Sequence, residues 1–105
     1  MPARGIAAGR TERPRQFELM LYVAGVDPKS TEAITAITQL CDEHLEGRYR
    51  LGIVDIYQEP ALAREERIIA APTLIIRRPP PSRRLVGSME GLGTVLASLG
   101  RMPPT

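Results

Sequence analysis

The chain has 105 residues, of which 43% are hydrophobic, and a formal net charge of +2. That suffices for one domain with one modest core, and the small net charge argues against a protein that tracks nucleic-acid phosphates. Aromatics make up only 4% and there is one cysteine, Cys41, so the core is built from Leu, Ile, Val and Ala, and an internal disulfide or a Cys-x-x-Cys redox or zinc motif is excluded. No apolar stretch is long enough to span a membrane, and the N-terminal arginines precede no h-region. A soluble, cytoplasmic protein without a secretory signal is expected.

In chain order, residues 1–15 are rich in Gly, Ala, Pro and Arg without periodicity and predict a disordered tail. Arg4, Arg10, Arg13 and Arg15 crowd it as solvated charge. Residues 17–24 alternate as a strand whose two faces are both largely apolar, as in a strand buried between layers. Gly25 ends it. Residues 27–46 predict the longest helix. Asp27 can cap it, with Ser30 or Thr31 as later starts, and Pro28 fits the first position. Ala33, Ile34, Ile37, Leu40, Cys41, His44 and Leu45 form one stripe, and Gly47 is the stop. Cys41 then lies in mid-helix as a core residue rather than a reactive thiol.

Residues 49–57 predict a second strand, again apolar on both sides, with Asp55 hydrogen-bonded to backbone near its end. Strand, helix and strand make a βαβ unit with parallel strands. Residues 61–71, opened by Glu59-Pro60, predict a short helix with Leu62 and Ile69 inside and Arg64, Glu65, Glu66 and Arg67 mostly outside. Pro72 forbids its continuation into the strand at 73–77. Pro79, Pro80 and Pro81 predict an extended, polyproline-like connection to a fourth strand at 83–87. Residues 89–99 place Met89, Leu92, Val95, Leu96 and Leu99 at helical spacing, weakened by Gly91 and Gly93. Residues 101–105 read as a frayed end, so the domain is expected over 16–100.

The order βαβαββα is that of an α/β, thioredoxin-like fold. Ala71-Pro72-Thr73 before the third strand matches that superfamily's Pro-Thr, where the proline is usually cis. The junction where its Cys-x-x-Cys would stand, residues 24–30, contains no cysteine. More specifically, the chain resembles the KaiB family. The likeness is carried by Leu21-Tyr22-Val23-Ala24-Gly25, Pro28, Ser30, Gly47, Tyr49, Val54-Asp55-Ile56, Pro60, Leu62-Ala63, the run from Ile68 to Leu74, the three prolines with Arg83-Arg84, and Gly87. It extends from residue 17 to about 99.

That resemblance implies a non-enzymatic protein without a cofactor, which binds the hexameric ATPase KaiC on its N-terminal ring and acts on its phosphorylation cycle. It implies a ground-state fold in a homo-oligomer (tetramer or dimer) that exchanges with a thioredoxin-like monomer by rearranging residues 59–99. Arg67, at a basic position of the family, and Arg77, Arg78, Arg83 and Arg84 are then the expected partner-binding residues, because Arg is favoured at interfaces. Pro72, Pro79, Pro80, Pro81 and Gly87 are the expected turn and fold-switch residues. The acidic C-terminal tail of many cyanobacterial members is absent, a basic N-terminal extension is present, and Ile76 stands where the family has lysine. These departures suggest a divergent or non-cyanobacterial member. The competing readings are a thioredoxin-like redox protein restricted to Cys41, a KaiB-like module with a different, stress-signalling partner, and a nucleic-acid binder. The last lacks interleaved aromatics.

Overall fold

The computed structural model describes residues 16–25, 27–87 and 91–103. The tail expected at 1–15, Met89 of the last helix and residues 104–105 lie outside the described residues.

The elements are β1 (Phe17–Val23), α1 (Pro28–Leu45), β2 (Tyr49–Asp55), α2 (Pro60–Glu65), β3 (Thr73–Arg78), β4 (Arg83–Val86) and α3 (Leu92–Gly100). This is the predicted βαβαββα order. The strands form one four-stranded sheet in the order β2-β1-β3-β4. β1 and β2 are parallel, as a βαβ unit requires, while β3 runs antiparallel to both β1 and β4.

Alternation along β1 decides the layers. Phe17, Leu19, Leu21 and Val23 face one side with Leu74 and Ile76 of β3. There they meet Ala33, Ile37, Cys41 and Leu45 of α1 and Leu92, Leu96 and Leu99 of α3. The other face carries a smaller cluster of Tyr22, Val54 and Ile75, with Met20, Ile56 and Ile68 packed against it. The main core therefore lies between the sheet and the α1–α3 pair.

Asp27 caps α1: its Oδ1 accepts from the Ser30 amide at 2.7 Å, and Pro28 occupies the first turn. Ser30 is buried instead, with its Oγ accepting from the Ala24 amide at 3.2 Å. The helix closes at Glu46, which takes a left-handed φ of 45°, ahead of Gly47 at 80°.

Four expectations need correction. β2 is not buried on both sides. Among the described residues it is an edge strand, it ends at Asp55, and Ile53 is 47% exposed. The Asp55 carboxylate accepts from the Tyr57 amide at 2.9 Å, the backbone hydrogen bond expected of it.

α2 stops at Glu65 rather than running to 71. The Ile68 amide donates to Ala63 O at 2.9 Å and the Arg67 amide to Arg64 O at 3.1 Å. With Arg67 at φ 55°, this is a Schellman closure built on an arginine where glycine is usual. Its consequence is that Ile68 turns onto the sheet while Ile69 is 92% exposed; within α2 itself Leu62 is 39% exposed, so neither Leu62 nor Ile69 lies inside.

The proline run is not polyproline-like. The Arg78–Pro79 and Pro80–Pro81 bonds are cis, as is Ala71–Pro72, and the run reverses the chain between antiparallel β3 and β4. Finally, residues 101–103 are not loose. Arg101 and Met102 amides donate to Ser98 O and Leu99 O, at 3.2 and 3.0 Å. The α3 that precedes them starts at Leu92, after Gly91 at φ 83°. At its far end, a Cβ on Gly100 would collide with the His44 carbonyl oxygen, so a glycine lets the ends of α3 and α1 touch backbone to backbone.

Candidate partner-binding surface

The five arginines expected to bind a partner separate into two kinds. Arg77 and Arg84 are built into the fold. Between the pairs Glu18↔Arg78 and Leu19↔Ile76 the register slips, leaving Arg77 as the extra residue of a bulge. Its Nη2 donates to the Tyr22 hydroxyl at 3.1 Å and lies 3.2 Å from Glu66 Oε2. Burial alone would lower the Arg77 pKa, but the Tyr22 and Glu66 oxygens more than offset it and raise it above the ordinary guanidinium value. Arg84 donates through Nη2 to Glu66 O at 2.8 Å and through Nη1 to Arg67 O at 3.4 Å. It also lies 3.9 Å from Glu66 Oε1. Glu66 thus draws both guanidinium groups onto the turn that ends α2, and the two carbonyls bound by Arg84 are those of that turn.

Arg67, Arg78 and Arg83 are exposed, and their side chains make no ion pair or hydrogen bond with any described residue. They do not form one patch with Arg84. Arg83 pairs with Ile76 and Arg84 with Ile75, and because successive residues of a strand point to opposite faces, Arg83 belongs to the rim of the α1–α3 side and Arg84 to the α2 side. Arg83 and Arg84 lie on β4, the edge strand among the described residues, Arg77 and Arg78 at the end of β3, and Arg67 in the turn after α2.

The expected turn residues sit at the two ends of the β3–β4 hairpin. At one end Pro72 O accepts from the Gly87 amide at 2.8 Å, and Gly87 takes φ 77°. Beside it, Thr73 Oγ1 donates to Ala70 O at 2.6 Å. Pro79, Pro80 and Pro81 form the other end.

Cys41 is fully buried on α1, and burial, with the Asp42 carboxylate next to it, pushes its thiol up to about 11. At pH 8 about one thiol in a thousand is ionised in the folded chain. A thiol reagent at that pH is expected to label the native protein at least about 100-fold more slowly than the denatured one. Equal rates in a spectrophotometric assay would refute the buried placement. Tyr49 donates its hydroxyl to the same Asp42 carboxylate, and that bond, with burial second, pushes the phenol up to about 12. Among the described residues no group of three or more His, Cys, Asp or Glu could hold a metal ion. No helix among them is long and apolar enough to cross a membrane.

Sequence reasoning missed Glu66 and Arg48. Glu66 stands in a Glu-Glu-Arg run whose members look equivalent until the turn is folded. Arg48 reads as an ordinary loop cation.

The KaiB domain model matches residues 20–99. Circadian clock protein KaiB3 of Synechocystis sp. is 39% identical over 85 residues, spanning 81% of this chain and 83% of that protein. Circadian clock oscillator protein KaiB of Microcystis aeruginosa is 36% identical over 85 residues, spanning 81% and 82%. Among solved structures, the N-terminal domain of Synechococcus elongatus SasA superposes with a TM-score of 0.65 at 19% identity, covering 84% of this chain and 82% of that one. The germline thioredoxin Deadhead of Drosophila melanogaster superposes with a TM-score of 0.68 at 14% identity, covering 81% and 82%. These structural likenesses show a thioredoxin-like fold.

Proposed function

The chain belongs to the KaiB family of circadian clock proteins, and from that premise we propose that it is a non-catalytic clock or timer regulator that binds a KaiC-type ATPase hexamer and modulates its cycle. The observation that carries this reading is the family match across residues 20–99. In this reading the protein is cytoplasmic, the bound form is the thioredoxin-like monomer, and a homo-oligomeric ground state, tetramer or dimer, is reached by rearranging residues 59–99.

Physical features support it. α2 buries none of its residues and ends on a non-glycine left-handed turn, a local arrangement that is weakly favoured by itself. Two packings of one sequence need differ by only a few kcal/mol to exchange. Arg67, Arg78 and Arg83 are solvated and unpaired among the described residues, so they can meet carboxylates of a partner without first breaking an internal bond.

The test is size-exclusion chromatography of the chain with the KaiC-type ATPase of the same organism and nucleotide. Co-elution that grows over minutes to hours is the expected result. Its absence with every nucleotide would overturn the assignment of the partner.

A further inference from the structure

The Arg101 and Met102 amides close the end of α3 on Ser98 O and Leu99 O, but the helix is nine residues long, Gly91 supplies no side-chain cap, and there is no basic residue in its last turn ahead of Arg101 at the C-cap. A helix of this length is unstable alone, and the carbonyls at its end call for donors and positive charge.

Both come from Arg48, in the turn between α1 and β2. Its Nη2 donates to Gly100 O at 2.8 Å and its Nη1 to Met102 O at 2.9 Å. Nη1 also donates to Gln16 Oε1 at 3.2 Å, and the guanidinium carbon stands 5.3 Å from the centroid of the buried Phe17 ring. Gln16 in turn donates through Nε2 to Pro103 O at 3.0 Å. Two side chains from the N-terminal half thus bind three carbonyls at the end of α3. The bare backbone of Gly100 against His44 brings those carbonyls within reach. A planar fork that stacks on an aromatic ring while binding two carbonyls is a geometry that lysine cannot reproduce.

We propose that Arg48 is a latch on the C-terminal helix. While its guanidinium is engaged, α3 and the residues to Pro103 are held against α1 and the start of β1. When it disengages, they open as one unit and the four-stranded sheet stays paired. Arg48 therefore sets how often the opened form is visited. The latch does not depend on the identity of any partner.

Native-state hydrogen exchange on the whole chain tests it, comparing wild type with Arg48→Met and Arg48→Lys. Losing charge-assisted hydrogen bonds is expected to speed exchange about 10- to 100-fold for amides from Leu96 to Met102 in Arg48→Met. Amides of Leu19, Leu21 and Ile75, which exchange through the opening of the whole domain, should stay slower than those of α3 and accelerate by no more than the same factor. Arg48→Lys, which keeps the charge without the fork, should fall between. No acceleration in α3, or α3 amides that exchange in wild type only through the same opening as Leu19 and Leu21, would overturn the latch. Should Arg48→Met fail to fold, the wild type decides alone. In graded denaturant its α3 amides should exchange through an opening that exposes less surface than the opening of β1, and a single opening shared by both overturns the proposal.

Discussion

Leu96→Ala is expected to lower the free energy of unfolding by about 3 kcal/mol, whereas Ile69→Ala should change it by less than about 0.5 kcal/mol. Both are large apolar residues of the C-terminal half, and composition does not distinguish them. Leu96 is fully enclosed between the sheet and α1, so truncation loses its burial and leaves a cavity that α3 fills only by moving. Ile69 has nothing to lose because the Schellman closure at Arg67 has already turned it outward. Urea unfolding followed by circular dichroism measures both. A loss at Ile69 comparable with that at Leu96 would mean that this surface is covered in solution.

The second large effect concerns the partner. Reversing Arg67, Arg78 and Arg83 together to glutamate is expected to weaken binding of a KaiC-type ATPase by about tenfold or more, chiefly through a slower on-rate and with reduced sensitivity to salt. The unfolding midpoint should fall only slightly, through the carboxylate that Arg78→Glu sets opposite Glu18, since none of the three side chains is tied by a bond to the described fold. Arg84 is a different case. Arg84→Glu removes both donors from the α2 turn and sets a new carboxylate beside Glu66, so stability should fall along with any binding. Binding titrations paired with thermal melts separate the two outcomes. Unchanged affinity in the triple variant would remove these three arginines from the interface.

The difference between Arg83 and Arg84 shows where the sequence is readable. A strand's period of two already puts neighbours on opposite faces, so the adjacent pair could not act as one patch. What the sequence does not contain is which of them meets an acid. Glu65 and Glu66 are equivalent as letters. Only the closure of α2 after Glu65, without the glycine that ordinarily announces it, aims Glu66 at β3 and β4. The same missing glycine is why a helix to residue 71 looked acceptable and why Ile69 looked buried.

By itself the sequence determined β1, the span and Asp27 cap of α1, the parallel β1–β2 pair, the helical stripe of Leu92, Leu96 and Leu99, and membership of the KaiB family. Alternation, helical spacing, capping and turn residues act between near neighbours, so they are written in consecutive letters. Tertiary structure alone decided that β2 is an open edge, that Arg77 and Arg84 are held by Glu66, and that Arg48 reaches the end of α3. Each of these joins groups from well-separated parts of the chain. Their energies depend on where the folded chain returns, and no local pattern records that.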